Sequence, residues 1–316
     1  MTVASYGEIM GVFSSSTQPL KYTNSVDFKI AGAECNTLMG LSKLGIDTTL
    51  LTAVGLDAVG NAILQKMAAE RLNLNDVHQL AHHTTGIMIK EKGIGAKINI
   101  DYFRKSSAIN YLDISSFFKS FIESASYIYL TGVTPALSHM TYLNTIKLIK
   151  ETKKQNKLFV FDPNYRKKLW DTEEFKKFYK SIEDSIDVLL VGAKEAEILY
   201  GSSDKSDIIA YAFNAGISTI VIKYGDRGAC FANKDETLTY DAYTVNAIDA
   251  VGAGDAFAAG FLYGMEKHTI QDLKLIAPYA LAMGALATTS YSDYEGLPNE
   301  QQLENFINFT NTDIER

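Results

Sequence analysis

From residue 112 onward, short runs of β-branched and aromatic residues alternate with helical stretches, and this rhythm limits the fold more than any other feature. A helix reads over DISSFFKSFIESA, a strand over YIYLTGV, a long helix after Pro135 and a strand over KLFVFDPN. A helical stretch then runs to Ser185, followed by the strand DVLLVG, the helices AKEAEILYG and DIIAYAFNAG, and the strand STIVIKYG. Two short strands, GACFAN and ETLTYDAY, and two apolar helices, FAAGFLYGM and LKLIAPYALAMGALATTS, complete the series. Strands that alternate with helices predict a mostly parallel sheet covered on both faces.

The same rhythm opens the chain. SYGEIMGVF reads as a first strand, AGAECNTLMGLSKLG as a helix closed by Gly45, TTLLTAVG as a buried strand and AVGNAILQKMAAERL as another helix. Two segments depart from it. Around residues 12 to 31, PLKYTNSVDFKI carries no helical stripe; around 86 to 105, GIMIKEKGIGAKINIDYFRK reads as a hairpin turning at Gly93 and Gly95. Together they predict a small β lid on a single α/β domain spanning residues 1 to 316. Period-two spacing puts Ile98, Ile100, Tyr102 and Arg104 on one face of the second hairpin strand. Arg104 there either meets a partner or runs its stem past Tyr102 into solvent.

Composition narrows the function. At 47% hydrophobic and 21% charged the chain is ordinary for a globular protein, and its net charge of −7 has no basic run that would track nucleic acid. No apolar run approaches the ~20 residues that cross a bilayer. Cys35 and Cys230 in small or apolar surroundings, and a start, MTVASYGEIM, without a basic or long apolar leader, predict a reducing cytoplasm. Arginine is scarce: Arg71, Arg104, Arg166, Arg227 and Arg316 are the full set. Its planar fork grips carboxylate or phosphate bidentately, so its placement carries information.

In open α/β sheets the site lies beyond the carboxyl ends of the strands. Here those ends read Gly132-Val133-Thr134, Asp162-Pro163-Asn164, Gly192, Lys223-Tyr224-Gly225-Asp226 and DAVGAGDAFAAG, residues 249 to 260. The last follows YDAYTVNAI, read as strand, and runs into a helix. GAGDAF lacks the third glycine of a dinucleotide fingerprint and is no Walker loop. It is a short glycine turn at a helix start, where unsatisfied N–H groups and the macrodipole favour an anion such as phosphate. Asp255 then has two readings: a first-turn or N-cap aspartate worth ~1 kcal/mol, or a carboxylate set beside a phosphoryl group to take a hydroxyl proton.

IDAVGAGDAFAAGF resembles the D-[TP]-T-G-A-G-D-x-F-x-x-G element of the PfkB-type, ribokinase-like carbohydrate kinases. AGAECNTLMGLSKLG, AKEAEIL and VIKYGDRGA are similar to that family's N-terminal glycine element, its N-x-x-E magnesium-associated motif and its K-x-G-x-x-G nucleotide loop. The resemblance implies a three-layer α/β/α body with a mostly parallel central sheet and a small β-sheet lid. It implies ATP and Mg²⁺ as cofactors, a monovalent cation as a further candidate, and a homodimer through the lid. It makes Asp255 the base and Gly252, Ala253 and Gly254 the anion hole. Within the family, AGAECN, DYFRKSSAINYL, YLTGVTPALS and FDPNYRKKLW look most like the 2-keto-3-deoxygluconate kinases, which implies a sugar acid phosphorylated at its 6-hydroxyl. Gly32, Ala33, Asn36, Tyr102, Arg104, Arg166 and Asp255 would then hold the sugar acid. Asn164 and Arg166 would lie between sugar and triphosphate, and Lys223, Gly225, Asp226, Arg227 and Gly228 would line the nucleotide. Glu195 would serve the metal indirectly. Three departures stand out: Gly192 where the magnesium-associated motif has asparagine, Ala31 for the first glycine of the N-terminal pair, and Ala250-Val251 for Thr-Thr or Pro-Thr.

Overall fold

The computed structural model describes residues 2–15, 18–92, 98–291 and 293–309. The strands are β1 (Thr2–Tyr6), β2 (Met10–Ser15), β3 (Asp27–Ala31), β4 (Asp47–Gly55), β5 (Val77–Leu80), β6 (Gly86–Lys92), β7 (Ile98–Phe103) and β8 (Tyr127–Thr131). They continue as β9 (Leu158–Asp162), β10 (Val188–Gly192), β11 (Thr219–Lys223), β12 (Ala229–Ala232) and β13 (Thr237–Tyr240). The helices are α1 (Ala33–Lys43), α2 (Ala58–Ala69), α3 (Phe118–Glu123), α4 (His139–Lys154), α5 (Thr172–Ile182), α6 (Ala193–Tyr200) and α7 (Lys205–Asn214). The last three are α8 (Ala253–Lys267), α9 (Leu273–Ala287) and α10 (Glu300–Phe309).

Nine strands form the large sheet in the order β13-β12-β11-β10-β9-β8-β1-β4-β5. It is parallel from β5 to β11, and β12 and β13 add antiparallel at the far edge. One core joins one face of the sheet to α1, α2, α8, α9 and α10 through residues such as Leu38, Ile63, Phe261, Ile276 and Leu303. A second joins the other face to α3 through α7 through Ile122, Leu148, Phe175, Ala196 and Ile208. Each such Leu, Ile or Phe side chain fully withdrawn from water contributes ~1.5–3 kcal/mol, so three α/β/α layers follow from two apolar sheet faces. The helix after the glycine turn, apolar nearly all round in sequence, is buried from Asp255 to Met265. Its Gly260 lets it close on α9, since a Cβ there would lie 2.3 Å from the Tyr279 carbonyl oxygen.

The second sheet has four strands in the order β3-β2-β6-β7; β3, β6 and β7 come from the two segments that broke the βα rhythm, and β2 begins inside the run read as the first strand. It joins the body where Gly7, Glu8 and Ile9 pass from β1 to β2 and where Gly32 passes from β3 to α1. These crossings touch: a Cβ on Gly32 would lie 2.1 Å from the Glu8 carbonyl oxygen, so no larger residue fits.

Several local expectations are corrected. SYGEIMGVF is two strands in two sheets, because the chain leaves the body sheet at Gly7. YDAYTVNAI ends as strand at Tyr240; residues 241 to 250 are irregular, tied to the end of α9 by the Ile248 and Asp249 N–H groups donating to Thr288. The helix over DISSFFKSFIESA shrinks to Phe118–Glu123, and β5 and α10 were not foreseen. The hairpin turn at Gly93 and Gly95 lies outside the described residues.

Candidate active site

The carboxyl ends of the parallel strands and the small sheet enclose a cleft of about 1290 Å³. Asp255 stands on its wall in the first turn of α8. The N-cap is Gly252, in the left-handed region at φ +81°, and no side chain caps the helix. A larger residue would be strained in that backbone and would collide with Asp293, whose carbonyl oxygen lies 2.7 Å from a built Cβ. Asp255 is therefore no cap. Its carboxylate accepts from Asn36 Nδ2 at 2.9 Å and from Asn164 Nδ2 at 3.2 Å, while its carbonyl accepts from Thr37 Oγ1. Burial pushes its pKa up to about 7; the Asn36 hydrogen bond and Arg166 work against that rise, and Asp162 and Asp293 add to it. A carboxyl at about 7 exchanges protons near neutrality, as a general base must.

Asn164 is itself in the left-handed region, at φ +40°, with its N–H on Asp162 Oδ1 at 3.2 Å. Such a conformation on a residue other than glycine persists where the surroundings over-determine it. Asp162 Oδ2 accepts from Lys223 Nζ at 2.6 Å. Burial alone would lower the Lys223 pKa, but the Asp162 and Glu195 charges outweigh it and the ammonium is held above its ordinary range. Glu195 accepts from Tyr165 N–H at 2.7 Å and from Gly192 N–H at 2.8 Å. It thus closes the start of α6, and burial and Asp162 raise its pKa. Each of its oxygens accepts one backbone N–H and keeps a further lone pair. Among the described residues no group of three or more His, Cys, Asp or Glu is arranged to hold a metal.

Toward the small sheet, Arg104 Nη2 pairs with Glu8 Oε2, and Ser107 Oγ donates to Glu8 Oε1 at 2.5 Å. The guanidinium also lies over the Tyr102 ring, 5.5 Å from its centroid. The first alternative holds and the second does not: Arg104 has a partner in Glu8, and its guanidinium is folded over Tyr102 at 11% exposure and does not reach solvent. Its Nε is buried without a hydrogen-bond partner. Arg166 is exposed on the same cleft and makes no ion pair with the described residues.

The structure brings most of the expected site residues to this one cleft. Gly32, Ala33, Asn36, Tyr102, Arg104 and Arg166 line it, as do Asn164, Glu195, Lys223, Gly225, Arg227, Gly252, Gly254 and Asp255. Three are not on its wall. The Ala253 N–H is spent on the Ala250 carbonyl, whereas the Gly254 and Asp255 N–H groups lie in the first helical turn, where no intrahelical acceptor exists. Asp226 points to solvent in the short turn 225–227. Gly228, at φ +93°, lets its strand cross Tyr240, whose carbonyl oxygen would lie 1.9 Å from a Cβ. The sequence reading gave no role to Glu8 or Lys90. An acid inside the apolar run SYGEIMGVF was the available signal for Glu8, and Lys90 gave none.

The pfkB family carbohydrate kinase model matches residues 2–300. The chain is 28% identical over 316 residues to the 2-dehydro-3-deoxygluconokinase of Bacillus subtilis (strain 168), covering 99% of this chain and 97% of that protein. The solved structure of 2-dehydro-3-deoxygluconokinase from Thermotoga maritima superposes with a TM-score of 0.90 at 23% identity, over 98% of both chains. A ribokinase II structure from E. coli in complex with ATP and Mg²⁺ superposes with a TM-score of 0.88 at 22% identity, over 98% of this chain and 99% of that one. With the glycine turn, the anchored carboxylate and the two-sheet cleft on one chain, this protein belongs to the pfkB family of carbohydrate kinases, phosphotransferases with an alcohol group as acceptor.

Proposed function

We propose that the protein transfers the γ-phosphoryl group of ATP, with Mg²⁺, to the terminal 6-hydroxyl of 2-keto-3-deoxygluconate. The observation that carries this reading is the Asp255 carboxylate, which faces the cleft from a helix start it does not cap, with its pKa raised to about 7. The full-length similarity to the Bacillus subtilis 2-dehydro-3-deoxygluconokinase supports the choice of substrate. So do Arg104 and Arg166 on the same cleft.

In this reading the sugar acid lies against Gly32, Ala33, Tyr102, Arg104 and Arg166, and the nucleotide runs along Lys223, Gly225 and Arg227. Asp255 accepts the proton of the attacking hydroxyl. The phosphorus–oxygen bond to ADP breaks as the bond to the sugar oxygen forms, and the Gly254 and Asp255 N–H groups take up the charge on the moving phosphoryl. Glu195 would hold Mg²⁺ indirectly, and the ion would supply neutralisation of phosphate charge. The small sheet acts as a lid that excludes water, whose attack would waste ATP. A monovalent cation remains a candidate activator. Among the described residues no helix is long and apolar enough to cross a membrane; the reading keeps a cytoplasmic enzyme whose lids pair in a homodimer, and a monomeric mass at micromolar concentration overturns that pairing.

The test is a coupled assay with ATP against the gluco and galacto 2-keto-3-deoxy acids, fructose, ribose and adenosine. The gluco acid should give the highest kcat/KM, and Asp255→Asn should lower kcat by ~10² to 10⁴, the usual value of a positioned base. Near-normal turnover by Asp255→Asn overturns the base. One observation favours a second reading, a pfkB kinase for a neutral sugar: Arg104 already has a carboxylate partner in Glu8. Under that reading Arg104→Ala leaves the preferred substrate unchanged.

A further inference from the structure

Among the described residues, the small sheet reaches the loop before the glycine turn through Lys90, which the phosphoryl-transfer scheme above does not use. Lys90, on β6, sends its Nζ to Asp249 Oδ2 at 2.8 Å, and the two side chains are 15% and 6% exposed. The other oxygen of Asp249 accepts the Val251 N–H at 3.1 Å, which fixes the backbone immediately before Gly252. One carboxylate thus joins a strand of the small sheet to the turn that presents Gly254 and Asp255.

The surroundings show what the ammonium is for. Asp293 lies across the turn, its backbone against Gly252. Burial raises the pKa of its carboxyl, Lys90 opposes the rise and Asp249 adds to it. Lys90 therefore compensates two carboxylates that flank the anion hole. On β3, Lys29 makes a parallel tie, donating to the Tyr291 carbonyl at 2.6 Å and standing 3.6 Å from Glu295. Between the ties lies a cavity of about 190 Å³ lined by Val12, Ser14, Lys29, Lys90, Asp249 and Asp293. It leaves room on one side of the Lys90–Asp249 contact, so this edge of the small sheet is held by charge pairs where apolar packing is incomplete.

We propose that Lys90 is a positioning residue for phosphoryl transfer: through Asp249 it sets the turn of the anion hole, so that the hole is fully formed while the small sheet covers the cleft. The inference rests on the phosphoryl-transfer reading above. When the sheet lifts, Asp249 loses its cation, two carboxylates face each other beside the turn, and the Val251–Gly252 backbone relaxes. Lys90 and Asp249 both border the cleft, but the Lys90 ammonium is engaged by Asp249, so the effect should fall on the transfer step more than on sugar binding.

The experiment is a double-mutant cycle on the full chain with ATP and the preferred sugar. Lys90→Met keeps the stem and removes the charge. Asp249→Asn keeps an oxygen for the Val251 N–H and removes the charge partner. Each should lower kcat about tenfold or more with KM for the sugar within about threefold, the double variant should be no slower than the slower single, and Lys90→Arg should recover most of the loss. Melting temperatures are read alongside. A Lys90→Met kcat within twofold of wild type overturns the inference, and so do losses that multiply in the double variant or that follow melting temperature without rescue by arginine. Asp255→Asn, run beside them, separates the two levels: if it turns over normally the phosphoryl-transfer reading fails, and if it is inactive while Lys90→Met is unaffected only this inference fails.

Discussion

Two arginines face the same cleft under opposite conditions. Arg104 is 11% exposed, paired with a fully desolvated Glu8 and laid on Tyr102. Arg166 is exposed, makes no ion pair with the described residues and acts on Asp255 through its field. The first is a charge the fold has already neutralised; the second is a charge on the cleft with no ion-pair partner among the described residues. A substrate carboxylate that arrives at Arg104 also arrives at Glu8, whereas at Arg166 it meets an uncompensated cation. Within the sugar-acid reading, Arg166 supplies the attraction, and Arg104 supplies orientation through the Nε that has no partner in the chain.

The largest effect that would break this contrast is on stability. Removing one member of a buried pair leaves the other uncompensated, at a cost of ~3–5 kcal/mol. Glu8→Ala and Arg104→Ala should each lower stability by that order in denaturant titrations, whereas the exposed Arg166→Ala should stay within ~0.5 kcal/mol. If all three behave alike, Arg104 is no more committed to the fold than Arg166, and both arginines are equally available to substrate. Glu8→Gln sharpens the point: it keeps a carbonyl for Ser107 and Arg104, so it should be milder than alanine.

The sequence carried the body of this fold because its signals are local. Strand and helix alternation marked every parallel strand but β5, a strand of four residues that are at most partly buried. The two broken stretches marked the small sheet. What it hid is long-range. SYGEIMGVF has the composition of one strand, and the switch between sheets at Gly7 is visible only once Gly32 is seen against Glu8. YDAYTVNAI has strand composition, yet the Ile248 N–H at its end is tied to the Thr288 carbonyl at the end of α9, a contact no local pattern shows. The glycine turn and Asp255 were legible as a helix start with an acid in its first turn. That Asp255 is held by Asn36 and Asn164 was not, because the three come together only when α1, the end of β9 and α8 converge. Arginine placement pointed to the cleft that Arg104 and Arg166 both line but could not tell the paired arginine from the unpaired one.

The smaller effects concern Arg166 itself. A charge-assisted contact to a ligand is worth ~1.5–3 kcal/mol, so Arg166→Ala should raise KM for a sugar acid by one to two orders of magnitude while sparing a neutral sugar. A second readout separates loss of binding from general damage. The rise in kcat/KM with pH reports the base of the free enzyme, and Asp255, raised from an ordinary 3.8 to about 7, is protonated and idle below that pH and competent above it. Activity should therefore climb through about pH 7. Arg166 holds the Asp255 pKa down, so Arg166→Ala should move the climb to higher pH, while Arg104, not among the principal charges on Asp255, should leave it in place when replaced by alanine. An unmoved profile in Arg166→Ala would place that guanidinium out of reach of the base and remove the contrast between the two arginines.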